Sequence, residues 1–221
     1  MHVARGLSGP PTMPEISIES LDLAKAISYL GSDGDEESWA QFDGYHRAAI
    51  RRLEANGAEV ALIASNTPHH RFETIVQGIH IPVVSILQEI AKESVGIGAQ
   101  RVLLLGTALT MRSARFRQEF ALHGIEADGP QGDAARKMTV ELIEDLQLGK
   151  FAGAADRIVH VAKQSFRGQF SHQSVVCLAC TELPLAFEKL NARRIFEYDG
   201  LRFINAVAVH VEAVFNFAVD C

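Results

Sequence analysis

Directly after the apolar run Val175-Val-Cys-Leu-Ala179 come a thiol, a hydroxyl and a carboxylate on consecutive residues, Cys180, Thr181 and Glu182, followed by Leu183-Pro184. A cysteine at such a strand-to-helix turn lies near backbone N–H groups that have no partner, and these stabilise a thiolate able to act as a base. The bland alternative is a buried structural cysteine. Cys177 and Cys180 together spell Cys-x-x-Cys, but Cys177 lies inside the apolar run. An odd spacing along a strand sends the two thiols to opposite faces, which suits neither a redox pair nor half of a zinc site. Cys177 reads as core.

A second group follows another apolar run. In Ala64-Ser65-Asn66-Thr67-Pro68-His69-His70 several hydrogen-bonding side chains crowd one turn, with a proline suited to the first turn of a helix. Such a turn grips a carboxylate, or it simply caps the helix through Ser65, Asn66 or Thr67. The same choice stands at Gly106-Thr-Ala-Leu-Thr110, an anion-binding turn or an N-cap. His46, His123, His160 and His210 stand singly on helical segments and carry no ligand pattern.

The elements that must position these groups alternate short apolar runs with longer amphipathic segments, the pattern of a largely parallel α/β fold. Strands are expected at 15–20, 59–64, 82–85, 101–105, 174–179 and 194–198, and helices at about 37–56, 71–79, 86–95, 110–123, 133–148, 152–170 and 200–217. Gly57, Gly78 and Gly124 fall where helices stop. The segments Val60-Ala-Leu-Ile-Ala-Ser65-Asn-Thr67 and Val175-Val-Cys-Leu-Ala-Cys180-Thr181 echo one another 115 residues apart. Two related halves would set Ser65 and Cys180 facing across a crevice, where open α/β sheets bind ligands.

The net charge of −6, with 48% apolar and 22% charged residues, describes an ordinary globular chain. No basic run exceeds Arg51-Arg52 or Arg193-Arg194, so neither nucleic acid nor an anionic membrane surface is expected as a partner. The richest apolar stretch, 204–219, contains His210 and Glu212 and reads as a buried helix. The first residues lack the apolar core of a secretory leader, and three cysteines fall far short of a disulfide scaffold. A cytoplasmic setting is expected.

Taken in order, Ala64-Ser-Asn-Thr-Pro-His-His70, Leu103-Leu-Leu-Gly-Thr-Ala-Leu-Thr110 and Leu178-Ala-Cys-Thr-Glu-Leu-Pro184 resemble the aspartate/glutamate racemase family, from about residue 14 to the C-terminus. The resemblance implies two pseudo-symmetric α/β lobes of mostly parallel sheet flanked by helices, 1–95 with 200–221 and 96–199, with the active site between them. It also implies a homodimer acting on a small amino acid, aspartate or glutamate, without pyridoxal phosphate, metal or other cofactor. One residue removes the α-proton and another returns a proton to the opposite face; in the family these are usually cysteines. By position they are Cys180 and Ser65 here, with Asn66, Thr67, Thr110, Thr181, Glu182 and His69 as substrate contacts and Lys150 as a candidate partner for the side-chain carboxylate.

Ser65 departs from the family pattern, because a hydroxyl needs a base to accept its proton whereas a thiol is ionised by its surroundings. The reading is that Cys180 is the competent acid/base and that Ser65 relays a proton through His69, His70 or water. The family's opening strand and Gly-Gly-Met-type loop have no counterpart before residues 6–9. Two alternatives keep the fold: a one-thiol decarboxylase, a lyase protonating a carbanion from one face, and a catalytically silent carboxylate-binding homologue.

Overall fold

The computed structural model of the chain describes residues 14–220 apart from 33, 168 and 169; the expectations placed on residues 6–9 and on Cys221 lie outside the described residues. In chain order the first half forms α1 (Leu23–Ser28), α2 (Ala40–Ala55), β1 (Ala61–Leu62), α3 (Phe72–Ile75), β2 (Val83–Val84) and α4 (Ile86–Gly96). The second half forms β3 (Arg101–Gly106), α5 (Ala108–Arg112), α6 (Ala114–Ala121), β4 (Glu126–Asp128), α7 (Asp133–Gln147), α8 (Ala154–Ser165), β5 (Ser174–Ala179), β6 (Ile195–Tyr198), β7 (Leu201–Asn205) and α9 (Ala206–Asp220). Single 3-10 turns stand at Glu37–Trp39, Thr67–Arg71 and Leu183–Ala186.

Five strands make the main sheet in the order β4-β3-β5-β7-β6, parallel except for β6. Every residue of the central strand β5 is buried, as its unbroken apolar run requires of a strand covered on both faces. On one face α4, α6 and α9 bring Ile90, Phe120 and Val209 against Val102, Leu104 and Cys177. On the other, α7 and α8 bring Leu142, Leu146 and Ile158 against Leu103, Leu105 and Leu178, and Cys180 belongs to this cluster. The two cysteines thus serve opposite faces, as their spacing requires.

The smaller sheet pairs β1 with β2 in parallel, and its core gathers Trp39, Phe42, Ile50 and Ile75, with Leu109 of α5 packed against it. No described helix is long and apolar enough to cross a membrane.

Several expectations need correction. Residues 15–20 form no strand: Ile16 and Ile18 are 77% and 83% exposed, because apolar alternation makes a strand only beside an edge it can pair with. The helix expected from Gly200 begins at Ala206, and Leu201–Asn205 is instead β7, paired with β5 and β6. The physical reason is the Asp199-Gly200 turn, where both residues take positive φ (48° and 74°), the geometry that closes a tight antiparallel hairpin. Residues 201–205 therefore belong to the sheet that the second lobe was expected to supply. The helix expected over 110–123 is two helices broken at Ser113, whose extended backbone and side-chain bond to the Phe116 N–H start α6. β4, short and largely polar, was not anticipated.

Candidate active site

β5 delivers Cys180 one residue past its last ladder position, where Ala179 stands opposite Gly106 of β3. The approach is close: a Cβ on Gly106 would lie 2.7 Å from the Ala179 carbonyl oxygen. Only glycine lets β3 turn there, and the turn places Thr107 beside the end of β5.

Around the thiol, three donors meet one carboxylate. Cys180 Sγ donates to Glu182 Oε2 at 2.9 Å, Thr181 Oγ1 donates to the same oxygen at 2.8 Å, and Gln147 Nε2 of α7 donates to Oε1 at 3.0 Å. Burial raises the pKa of Cys180, and the bond to Glu182 and the carboxylate charge raise it further; the backbone N–H groups of Thr181 and Glu182 favour the thiolate but do not prevail. The expected preformed thiolate is therefore replaced by a thiol whose proton is already directed at an acceptor. Burial pushes Glu182 up, yet the donors Cys180, Gln147 and Thr181 outweigh it and hold its pKa below the ordinary value. Cys177, with burial alone acting, is pushed up to about 12 and is inert core.

The first-half turn is built differently. Asn66 is buried, and neither its amide oxygen nor its amide nitrogen has a hydrogen-bond partner. Unmatched polar atoms are costly in an interior, so such a pair marks a place for a ligand that supplies both an acceptor and a donor. Ser65 is half-buried. Thr67 Oγ1 lies 3.3 Å from Thr107 Oγ1, which lies 3.1 Å from Thr110 Oγ1. This hydroxyl chain ties the turn after β1 to the turn after β3, and β3 runs parallel to β5, after which Cys180 follows.

His69 requires a correction. It is fully buried, its Nδ1 donates to the Ser65 carbonyl at 2.9 Å, and its Nε2 accepts the Ile86 N–H at 3.2 Å. Desolvation, with help from the neighbouring His210 charge, pushes its pKa down to about 3. With both nitrogens bonded to backbone, the ring supports the turn and has no nitrogen left to serve Ser65. His70 turns its Nδ1 to Ser113 Oγ at 2.8 Å. Lys150 ion-pairs with Asp145 at 3.1 Å. Gln147 and Thr107 join these groups without a signal of their own: the glutamine lies in no motif, and Thr107 stands in the same Gly-Thr turn as Thr110. Among the described residues no group of three or more His, Cys, Asp or Glu is placed to hold a metal ion.

Comparison with known proteins adds the following. The model of a family described as Asp/Glu/Hydantoin racemase matches residues 2–214. Over 94 residues the chain is 32% identical to the broad specificity amino-acid racemase RacX of Bacillus subtilis (strain 168), a match spanning 42% of this chain and only 39% of that protein. Among solved structures, an aspartate racemase homologue from Pyrococcus horikoshii OT3 superposes with a TM-score of 0.73 at 25% identity, covering 94% of this chain and 85% of that one. The aspartate racemase of Picrophilus torridus, 19% identical, shares the fold with a TM-score of 0.65 over 88% of this chain and 74% of that chain.

Proposed function

Because this chain belongs to the Asp/Glu/Hydantoin racemase family, we propose that it moves the α-proton of an acidic amino acid, aspartate or glutamate, as a cofactor-independent isomerase. The observation that carries the reading is the Cys180 thiol with its proton directed at Glu182. Glu182 accepts the Cys180 proton as substrate enters, and the thiolate, favoured by the backbone N–H groups of Thr181 and Glu182, removes the α-proton. Gln147 and Thr181 hold the carboxylate in place. Asn66 suits an α-amino acid on both sides of its amide: Nδ2 donates to the substrate carboxylate and Oδ1 accepts from the ammonium. Thr67, Thr107 and Thr110 share the remaining carboxylate oxygens. A proton returns to the opposite face from a water held by the Ser65 hydroxyl, and the proton taken up by Glu182 neutralises, through solvent, the hydroxide so formed.

One observation favours a second, one-sided reading. His69 is bonded through both nitrogens and cannot deprotonate Ser65, so a reaction needing acid/base chemistry from a single face, such as decarboxylation of a malonate-type acid, suits the same site.

The test is optical. L-aspartate and L-glutamate incubated with the protein should lose ellipticity at a rate that falls by roughly 10²-fold or more in Cys180→Ala. Asn66→Ala should raise KM about tenfold, the size of a lost charge-assisted bond. Retained ellipticity with both acids would remove the racemase assignment, and carbon dioxide release from a malonate-type acid would replace it.

A further inference from the structure

A cavity of ≈ 240 Å³ lies between α5 and the first turns of α7, lined by Ala108, Arg112, Asp133, Arg136, Lys137 and Val140. Three cationic side chains and one carboxylate are among the residues that line it. That carboxylate neutralises little: Asp133 is fully exposed and meets Arg136 Nη1 only at 3.5 Å. Lys137 lies 3.6 Å from Glu141, one helical turn along α7, again at the limit of an ion pair. Arg112 uses its Nε on the Ala108 carbonyl. The telling atom is Arg136 Nε, which is buried and has no acceptor. The Arg136 side chain is nonetheless 32% exposed and its Nη1 meets Asp133 only at 3.5 Å, so the guanidinium edge is open to a planar, two-oxygen anion, and neighbouring cations strengthen its hold.

Position adds to chemistry. Ala108, on the cavity wall, directly follows Thr107, the residue that links the two halves of the candidate site. Lys150 is tied to Asp145, whereas this cavity offers cations close to the turn. We propose that the Arg112–Arg136–Lys137 cavity is an oxyanion subsite that takes a carboxylate or phosphate group. The anion is either the distal carboxylate of an acidic substrate or a separate small anion; the chemistry of recognition is the same. The subsite does not depend on the racemase reading, because its test is binding.

That test follows the Nε–H resonances of ¹⁵N-arginine-labelled protein during titration with inorganic phosphate, then with L-aspartate. The expected result is a saturable shift of the signal that Arg136→Gln removes, with a Kd of about 1 mM or below, weakened about tenfold in Arg112→Gln or Lys137→Gln. Aspartate displacing phosphate assigns the subsite to substrate, and phosphate retained under saturating aspartate assigns it to a separate anion; each supports it. The variants change exposed or half-buried positions on helix surfaces, and circular dichroism verifies their fold. Absence of a saturable Arg136 shift in the folded protein, or a shift indifferent to both neighbouring substitutions, would overturn the subsite whether or not the protein racemises an amino acid.

Discussion

At the residue scale the proposed chemistry turns on the hydrogen bond that Cys180 donates to Glu182. The carboxylate raises the thiol's pKa by accepting its hydrogen bond and by its charge, after burial has already raised it. Glu182→Gln removes the charge, so the pH profile of Cys180 alkylation should move to lower pH while turnover falls by about 10²-fold or more, because the proton acceptor is gone. A purely structural glutamate would lower turnover without moving the alkylation profile. The pairing was invisible beforehand: adjacency of Cys180, Thr181 and Glu182 announced a polar strand end, but only the turn's geometry directs the thiol and the hydroxyl to one oxygen. Asn66 was legible by type and place, since amides in a turn after a strand commonly bind ligands. Its lack of partners, the feature on which its proposed role rests, is a property of the packed interior.

At the element scale, strands and turns fix where these side chains can be. β5 was readable to the residue because six consecutive buried positions leave an unbroken apolar run. β7 was not, since Leu201-Arg-Phe-Ile-Asn205 runs straight into the apolar α9 and reads with it as one helix. Gly106→Ala tests the close passage of β3 past β5: a Cβ 2.7 Å from a backbone carbonyl forces the strands apart. A loss of about 1–3 kcal/mol in urea unfolding is expected, with turnover reduced through displacement of Thr107. The 3-10 turn at Thr67–Arg71 is pinned to α4 by neutral His69, which yields a pH dependence of stability. His69 has a folded pKa near 3, below its unfolded value of about 6.5. The unfolded chain therefore binds the extra proton between these values; the stabilisation is complete above pH 6.5 and is lost as pH falls toward 3. His46 and His210, also lowered mainly by burial, add to the same trend. Urea midpoints should drop between pH 7 and pH 5, and the drop should be smaller in His69→Gln.

For the whole molecule, the α/β class follows from the alternation of apolar runs and amphipathic segments; the echo between Ser65 and Cys180 suggests two facing turns, and the observed contacts join the first of them to the turn after β3. The sequence could not show that the meeting is held by a few side-chain bonds far apart in the chain: Thr67 to Thr107, His70 to Ser113, and Arg115 to Glu73 at 2.7 Å. Contacts between residues about forty positions apart leave no local pattern. In the proposed site the Cys180 thiol and the Ser65 hydroxyl differ as acids and bases, and His69 is bonded to backbone through both nitrogens, so the proposed proton transfers are unequal. The most direct test is proton NMR of L- and D-aspartate and of L- and D-glutamate in deuterated solvent, with wild type and Cys180→Ala. The account predicts loss of the α-proton signal of at least one of these acids, faster from one enantiomer than from the other and abolished in the variant. An α-proton signal that persists for all four acids, or exchange that survives Cys180→Ala, would contradict it.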